Sequence, residues 1–268
     1  MKITVVIPTY NRPGLAVALA KQIRVFEPKA EIIIVDQSNH KEDPKTISKL
    51  NVIYLENPKV NTSIAKNVGL TKATGDIVIF FDDDVEILPN TIKAHIKEYE
   101  DSNVLGVAGR AINDGETLPD LTEVETGKTN RLLTLFVNNF WGTKRQFVQF
   151  PYGCNMSFRR SILNKLGGFD EQIPPPGFEE TDLGLRITKI GKMIFSPDTL
   201  AYHHKATTGG TRMLRSKWFK NYYWIYGRLI RKHVSFPQIL ISIIHLKLRI
   251  LREYPLALLS FYKGLMSV

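Results

Sequence analysis

Three consecutive aspartates, Asp82, Asp83 and Asp84, close the apolar run "DIVIFFDDD". Like charges repel and carboxylates resist desolvation, so such a cluster at the tip of a buried strand needs a positive counterpart. A bound divalent cation supplies one. On an extended chain, residues two apart project to the same side, which brings Asp82 and Asp84 together and turns Asp83 elsewhere. Oxygen donors of this kind suit Mg2+ or Mn2+, which keep part of their water shell and bridge to phosphate oxygens. The cluster therefore points to a ligand that carries a diphosphate. The competing reading is an acidic turn, or a cap for the helix after Pro89.

The elements that must hold these carboxylates can be read from periodicity. "ITVVI" (3–7) and "EIIIV" (31–35) are continuous β-branched runs, as expected of strands buried on both faces. Between them, Asn11 as a cap, Pro13 in the first turn and the stripe Leu15, Leu19, Ile23 and Phe26 predict a helix. A strand over 51–56, a helix near 62–73 and a strand over 76–81 continue the alternation of an open α/β sheet. Ligands bind such sheets at the carboxyl ends of the strands. Asp36 directly follows the second strand and Asp82 to Asp84 follow the fourth, so both acidic features fall on one rim. After a helix and a strand over 90–111, residues 111–150 lose clear periodicity. A strand, a short helix and a turn over 150–171 precede a helix in "FEETDLGLRITKIGK", with Gly191 at its expected carboxyl cap.

Composition narrows the function classes. With 268 residues, 43% hydrophobic and 23% charged, the chain is neither disordered nor a polytopic membrane protein. One cysteine, Cys154, permits neither an internal disulfide nor a cysteine-based zinc site. The first apolar stretch is too short for a signal peptide, so the expected location is cytoplasmic. The formal charge of +10 is unevenly spread: residues 1–211 carry 25 basic and 25 acidic residues, whereas 212–268 carry 11 basic residues and only Glu253 as an acid. The basic character belongs to a tail and gives no general case for nucleic-acid binding.

The segments "VVIPTYNR", "IIIVDQSN", "NTSIAKNVGL", "GDIVIFFDDDV", "CNMSFRR" and "GFEETDLGLR" resemble, in order and spacing, the family 2 glycosyltransferases of GT-A fold, a rhamnosyltransferase-like subgroup among them. The likeness runs from about residue 3 to 210. It implies a Rossmann-like, mostly parallel sheet flanked by helices, and a metal-dependent inverting transfer of a sugar from a nucleotide donor to a hydroxyl acceptor. It also implies that Pro8, Thr9, Asn11, Arg12, Asp36, Lys66, Asp82 and Asp83 contact the nucleotide sugar, with Asp36 at the base. Asp82 to Asp84 would form the DxD motif, Asp84 being the direct ligand of Mn2+ or Mg2+ beside Asp82. Lys66 stands where many relatives carry arginine, which changes the geometry of any phosphate contact.

Such a transfer needs a carboxylate that removes the acceptor's proton. Helical spacing puts Glu179 and Glu180 on opposite flanks of the stripe Leu183, Ile187 and Ile190, and it does not choose between them. Asp182 turns further away and can pair with Arg186. The resemblance selects Glu180 as the base and leaves Glu179 and Asp182 on the acceptor side. It also implies a histidine near 203 in the metal site, with His203 preferred to His204. The stretch Gly209 to Arg212 is expected to fold over the diphosphate with Arg212 as a clamp. Residues 1–110 would then bind the donor, 111–211 the acceptor, and 212–268 would form an amphipathic helical extension.

In that extension aromatics interleave with Lys and Arg, and two or three helices broken near Pro237 and Pro255 are expected. Cationic amphipathic helices suit the surface of an anionic membrane. They could instead pack on the catalytic domain or form a dimer contact; single-stranded nucleic acid ranks last, since no RNA-binding motif accompanies them. The acceptor expected is a lipid-linked or cell-surface glycan and the first donor a UDP-sugar. The rivals are a sugar nucleotidyltransferase, a metal-dependent phosphohydrolase and a non-catalytic nucleotide- or membrane-binding module; "PTYNRPG" lacks the arginine-containing glycine-rich loop of the first.

Overall fold

The β-branched runs do form the buried strands of a central sheet. The computed structural model describes residues 1–175 and 177–268. In chain order the elements are β1 (Ile3–Thr9), α1 (Leu15–Phe26), β2 (Glu31–Asp36), α2 (Pro44–Ser48), β3 (Ile53–Glu56), α3 (Thr62–Lys72), β4 (Ile77–Phe81), β5 (Val85–Ile87), α4 (Thr91–Glu98) and β6 (Val104–Asn113). Three short strands, β7 (Lys128–Thr129), β8 (Phe136–Val137) and β9 (Gln146–Phe147), punctuate the segment that lacks periodicity. Then come β10 (Asn155–Arg159), α5 (Arg160–Leu166), α6 (Glu179–Ile187), β11 (Lys192–His203), α7 (Arg215–His233), α8 (Phe236–Glu253) and α9 (Leu258–Leu265).

The sheet runs in the order β3-β2-β1-β4-β10-β6-β11-β5, with β9 added beside β11. Strands β3, β2, β1 and β4 pair in parallel, β10 is inserted antiparallel to both β4 and β6, and β11 pairs in parallel with β6. Six strands thus share one direction, and the carboxyl ends of β1, β2, β4, β6 and β11 lie on one rim. Each sheet face carries its own buried apolar cluster, with Val5, Ile7, Leu19 and Ile79 in one and Val6, Phe80, Phe158 and Leu183 in the other. Covering both faces explains why the strands read as unbroken apolar runs.

Three local expectations are corrected. Asn11 does not cap α1: Gly14 holds that position in a left-handed conformation, and Asn11, itself at φ 53°, accepts a hydrogen bond from the Asn39 amide at 3.0 Å. Helix α6 ends at Ile187 with Thr188 as its cap, so Gly191 is not the terminator. Gly191 is instead packed so closely on Leu105 that a Cβ would fall 2.3 Å from that side chain. Ile190, beyond the helix end, is 46% exposed and leaves the stripe.

The tail forms three helices, with Pro237 in the first turn of α8 and Pro255 opening a short 3-10 turn before α9. It packs on the rest of the chain: Tyr223, Ile225, Leu229, Leu246 and Phe261 are buried in one cluster with Leu133, Ile173 and Leu185. The opposite face of α8 stays exposed, with Phe236, Leu240, Ile244, Leu248 and Leu251 along it. Among the described residues no helix is long and apolar enough to cross a membrane.

Candidate functional site

A cavity of about 250 Å³ opens on the carboxyl rim of the sheet. Pro8 and Thr9 from β1, Arg12 and Gln37 from the loops after β1 and β2, Asp82 and Asp83 after β4, and His203 at the end of β11 line it. Lys66 of α3, the turn Tyr152–Gly153–Cys154, whose Cys154 carbonyl accepts from the Asp82 amide at 3.3 Å, and the first residues of α6, Glu179 and Glu180, complete the lining.

The chain leaves β4 at Phe81, and Asp82 to Asp84 occupy the turn before β5. Asp82 and Asp84 converge, as the spacing predicts, but on a turn rather than an extended strand. Together with His203 they offer ligand atoms that all lie within 4.8 Å of one another. Asp83 stands outside this group, accepting from Thr9 Oγ1 at 2.6 Å and from Arg12 Nη1 at 2.6 Å.

The group fits a divalent cation. Asp84 Oδ2 is occupied by the Ala206 amide at 2.8 Å and by Arg12 Nη1 at 3.0 Å, while the buried Oδ1 has no hydrogen-bond partner and lies 3.3 Å from His203 Nε2. Burial pushes both carboxyls up; it prevails for Asp82, whereas His203 and Arg12 reverse it for Asp84 and bring that group down to about 2.

The tautomer of His203 follows from its neighbours. Glu116 Oε2 can only accept, and it receives Asn113 Nδ2 at 2.9 Å, so the amide oxygen of Asn113 faces His203 Nδ1 at 2.9 Å. Nδ1 therefore carries a hydrogen and donates it, which turns Nε2 toward Asp84. Asn113 reaches this position because β6 and β11 pair His203 directly with Asn113. His204, exposed, bonds Asp114 and Glu86 and stands outside the group.

In the same cavity, Lys66 Nζ donates to Glu179 Oε1 at 2.8 Å, both side chains being buried. Glu180 lies beside this pair without sharing it; burial, followed by the charge of Glu179, raises its carboxyl well above the usual carboxylate range. Gly153 keeps the space between them open, since a Cβ there would sit 3.7 Å from both Glu180 Oε2 and Lys66 Nζ. Cys154 also lines the cavity, but burial raises its thiol far from the reactive range.

Several expected residues lie elsewhere. Asp182 is fully buried on the far side of α6, paired with Arg186 at 2.9 Å, Lys232 at 2.6 Å and His233 at 2.8 Å, so it does not reach the acceptor side of the cavity. Helical periodicity turned it from the core stripe correctly and could not foresee that α7 covers that flank. Arg212 donates within its own loop, to Gly209 O at 2.8 Å and to Ala206 O, instead of reaching over the cavity. The loop itself does fold in: Gly209 and Gly210, at φ 65° and 66°, lie so close that a Cβ would fall 2.3 Å from Asn11 O and 2.6 Å from the Arg12 guanidinium. Asp36 is buried beneath the rim, accepting from the Ser38 amide at 2.7 Å and from Tyr54 Oη, and neither it nor Asn11 lines the cavity. Gln37, Asn113 and Tyr152 carried no separable signal in the sequence.

Residues 4–167 match the family model described as glycosyl transferase family 2. The chain is 24% identical over 241 residues to the hyaluronan synthase of Pasteurella multocida, an alignment covering 77% of this chain and 25% of that protein. It is 33% identical over 103 residues to the GalNAc(5)-diNAcBac-PP-undecaprenol beta-1,3-glucosyltransferase of Campylobacter jejuni, covering 34% of this chain and 32% of that protein. The chain spans 25% to 61% of the length of the first curated relatives it matches. Among solved structures, the mannosyltransferase of Pyrobaculum calidifontis in complex with GDP-Man and Mn2+ superimposes with a TM-score of 0.63 at 21% identity, covering 99% of this chain and 74% of that one. At that identity the likeness shows the shared fold.

Proposed function

Since the chain belongs to glycosyl transferase family 2, we propose that it transfers a sugar from a nucleoside-diphosphate donor, a UDP-sugar first, to a hydroxyl of a lipid-linked or cell-surface glycan, inverting the anomeric carbon. The observation that supports the reading is one cavity that holds both Asp82 and His203 of a three-residue metal group and a raised, unpaired carboxyl, Glu180. Residues 1–110 serve the donor in this reading and 111–211 the acceptor. Solved structures of this fold, one in complex with GDP-Man and Mn2+ and another with UDP, GalNAc and Mn2+, agree with this use of it.

A Mn2+ or Mg2+ ion held by Asp82, Asp84 and His203 would balance the charge that the departing diphosphate takes on. Arg12 and Lys66 add fixed positive charge to the same space. Asp83, itself bonded by Thr9, holds Arg12 in place, and Glu179 does so for Lys66. Glu179 is thereby committed to an ion pair, which favours Glu180 as the general base. In the transfer, the acceptor oxygen forms its bond to the anomeric carbon as the bond from that carbon to the diphosphate breaks, and the hydroxyl proton passes to Glu180. A raised pKa suits this role, because the base must hold the proton it takes near neutral pH.

The exposed apolar face of α8, with Arg231, Lys247, Arg252 and Lys263 exposed on the same helical extension, supports a peripheral position on an anionic membrane, where a lipid-linked acceptor would be presented.

Incubation with a panel of sugar nucleotides, Mn2+ and glycan or lipid acceptors should release nucleoside diphosphate only when metal is present. Release of pyrophosphate would identify a nucleotidyltransferase instead. Absence of turnover and of metal-dependent donor binding would leave a non-catalytic module.

A further inference from the structure

A second cavity, of about 310 Å³, abuts the first and shares Tyr152 and Glu180 with it. Its walls divide by chemistry. Trp141 and Phe178 join Tyr152 in presenting aromatic surface, whereas Glu116 and Asn138 place polar groups at the exposed side. Among the described residues that line it there is no lysine or arginine.

The aromatic side is braced. Tyr152 stacks on a buried phenylalanine, Phe140, with ring centroids 5.5 Å apart and planes 8° apart. Phe178 adopts φ 72°, a left-handed conformation that costs free energy in a residue with a side chain, and it immediately precedes the helix that carries Glu180. Its ring is held in that pose by Phe136, Tyr222 and Tyr226, at centroid distances of 6.2, 5.6 and 6.0 Å. On the polar side, Glu116 is fixed by the two nitrogens of Asn113, at 3.2 and 2.9 Å.

A pyranose ring has an apolar C–H face and a rim of hydroxyls, and the two kinds of wall match those two surfaces. The exposed carboxylate of Glu116, with no lysine or arginine among the described lining residues, opposes an anionic sugar, because a uronate or phosphate entering here would meet like charge without a partner. We propose that this cavity is the acceptor subsite, that it takes an uncharged pyranose terminus of a glycan, and that Glu116 is the residue that rejects anionic sugars. The assignment rests on the transferase reading above in one respect, that the hydroxyl to be glycosylated points through the shared wall at Glu180.

The test measures binding of simple glycosides by saturation-transfer NMR in Mg2+, with donor absent. A neutral hexoside or N-acetylhexosaminide should receive saturation at its ring C–H protons, and a glucuronide of the same aglycone should not. Trp141→Ala should weaken the neutral glycoside by about 10-fold, the scale of one aromatic contact. Asn138→Ala, at an exposed position, gives a second reading should Trp141→Ala fail to fold. Glu116→Gln should narrow the preference for neutral over anionic glycoside. The proposal is overturned if the wild-type protein prefers the glucuronide, if no glycoside binds, or if both folded variants bind the neutral glycoside as the wild type does. A wild-type protein that binds neutral glycosides yet neither binds nor turns over any sugar nucleotide would instead sink the transferase reading while leaving the saccharide assignment standing.

Discussion

At the scale of single residues the site turns on which groups are already committed. Glu179 is tied to Lys66, Asp83 to Thr9 and Arg12, and Asp182 to the tail, which leaves Glu180 free in the cavity. Glu180→Gln keeps the shape and removes the proton acceptor, so turnover should fall by roughly two to four decades with donor binding retained. Because burial and Glu179 raise the Glu180 carboxyl, its deprotonated form accumulates only above the ordinary carboxylate range. The wild-type kcat should therefore climb with pH over that higher interval and then level, and the residual kcat of Glu180→Gln should be flat across it; a parallel climb in the variant would assign the titration elsewhere. The metal group makes a second prediction. Asn113→Leu removes the acceptor that fixes the His203 tautomer, and Mn2+ affinity measured by calorimetry should drop about 10- to 100-fold, the usual cost of losing such support. The aspartates were legible in the sequence because their spacing is local. Asn113 was not, because it meets His203 through strand pairing across 90 residues, and Glu116 enters only through its bond to Asn113.

At the scale of elements, α6 is held by the tail at two points. The rings of Tyr222 and Tyr226 grip Phe178 just before it, and Lys232 and His233 reach Asp182 inside it, two residues beyond Glu180. Breaking a buried ion pair from one side strands the partner charges, so Asp182→Ala should cost about 3 to 5 kcal/mol in urea unfolding at neutral pH. The pH dependence has a definite sign. Burial works to raise the Asp182 carboxyl, but the His233 hydrogen bond, Arg186 and Lys232 outweigh it and hold the folded pKa below the ordinary aspartate value. The resulting stability is present above about 4, the unfolded range, and is lost as pH falls through the folded pKa. The wild-type advantage over Asp182→Ala should thus shrink on acidification below about 4; a gap that widens there would contradict the pairing. Periodicity predicted α6 and its Asp182–Arg186 pair, since an i, i+4 contact is written along one helix. The end of α6 and the cap of α1 were misread, because Gly191 is required by close packing on Leu105 rather than by a helix terminus, and Asn11 is drawn into bonds with Ser38 and Asn39 from the next loop.

At the scale of the whole molecule, the basic extension answers to two surroundings. Sequence alone set packing against membrane binding as alternatives, but opposite faces of one helix can serve both. Ile239, Ser242, Leu246 and Ile250 of α8 are buried, and Arg228 and Lys232 of α7 are bound to Asp170. Phe236, Leu240, Ile244 and Leu248, spaced by four residues, share the other face of α8 and stay exposed. Removing 212–268 would strip the cover from Leu133, Ile173 and Leu185 and is expected to prevent folding, so deletion cannot isolate a membrane role. Ile244→Glu with Leu248→Glu can, because both side chains are already in water and fold stability should change by less than about 1 kcal/mol. If the face meets an anionic bilayer, each glutamate both forfeits apolar burial and adds repulsion from lipid charge, so co-sedimentation with phosphatidylserine-containing vesicles should fall at least about 10-fold while neutral vesicles bind weakly throughout. Unchanged sedimentation would remove the membrane from the account. A wild-type dimer in light scattering that the double variant abolishes would mean that the stripe meets a second copy of the chain, and the lipid-linked acceptor would then lose its structural support.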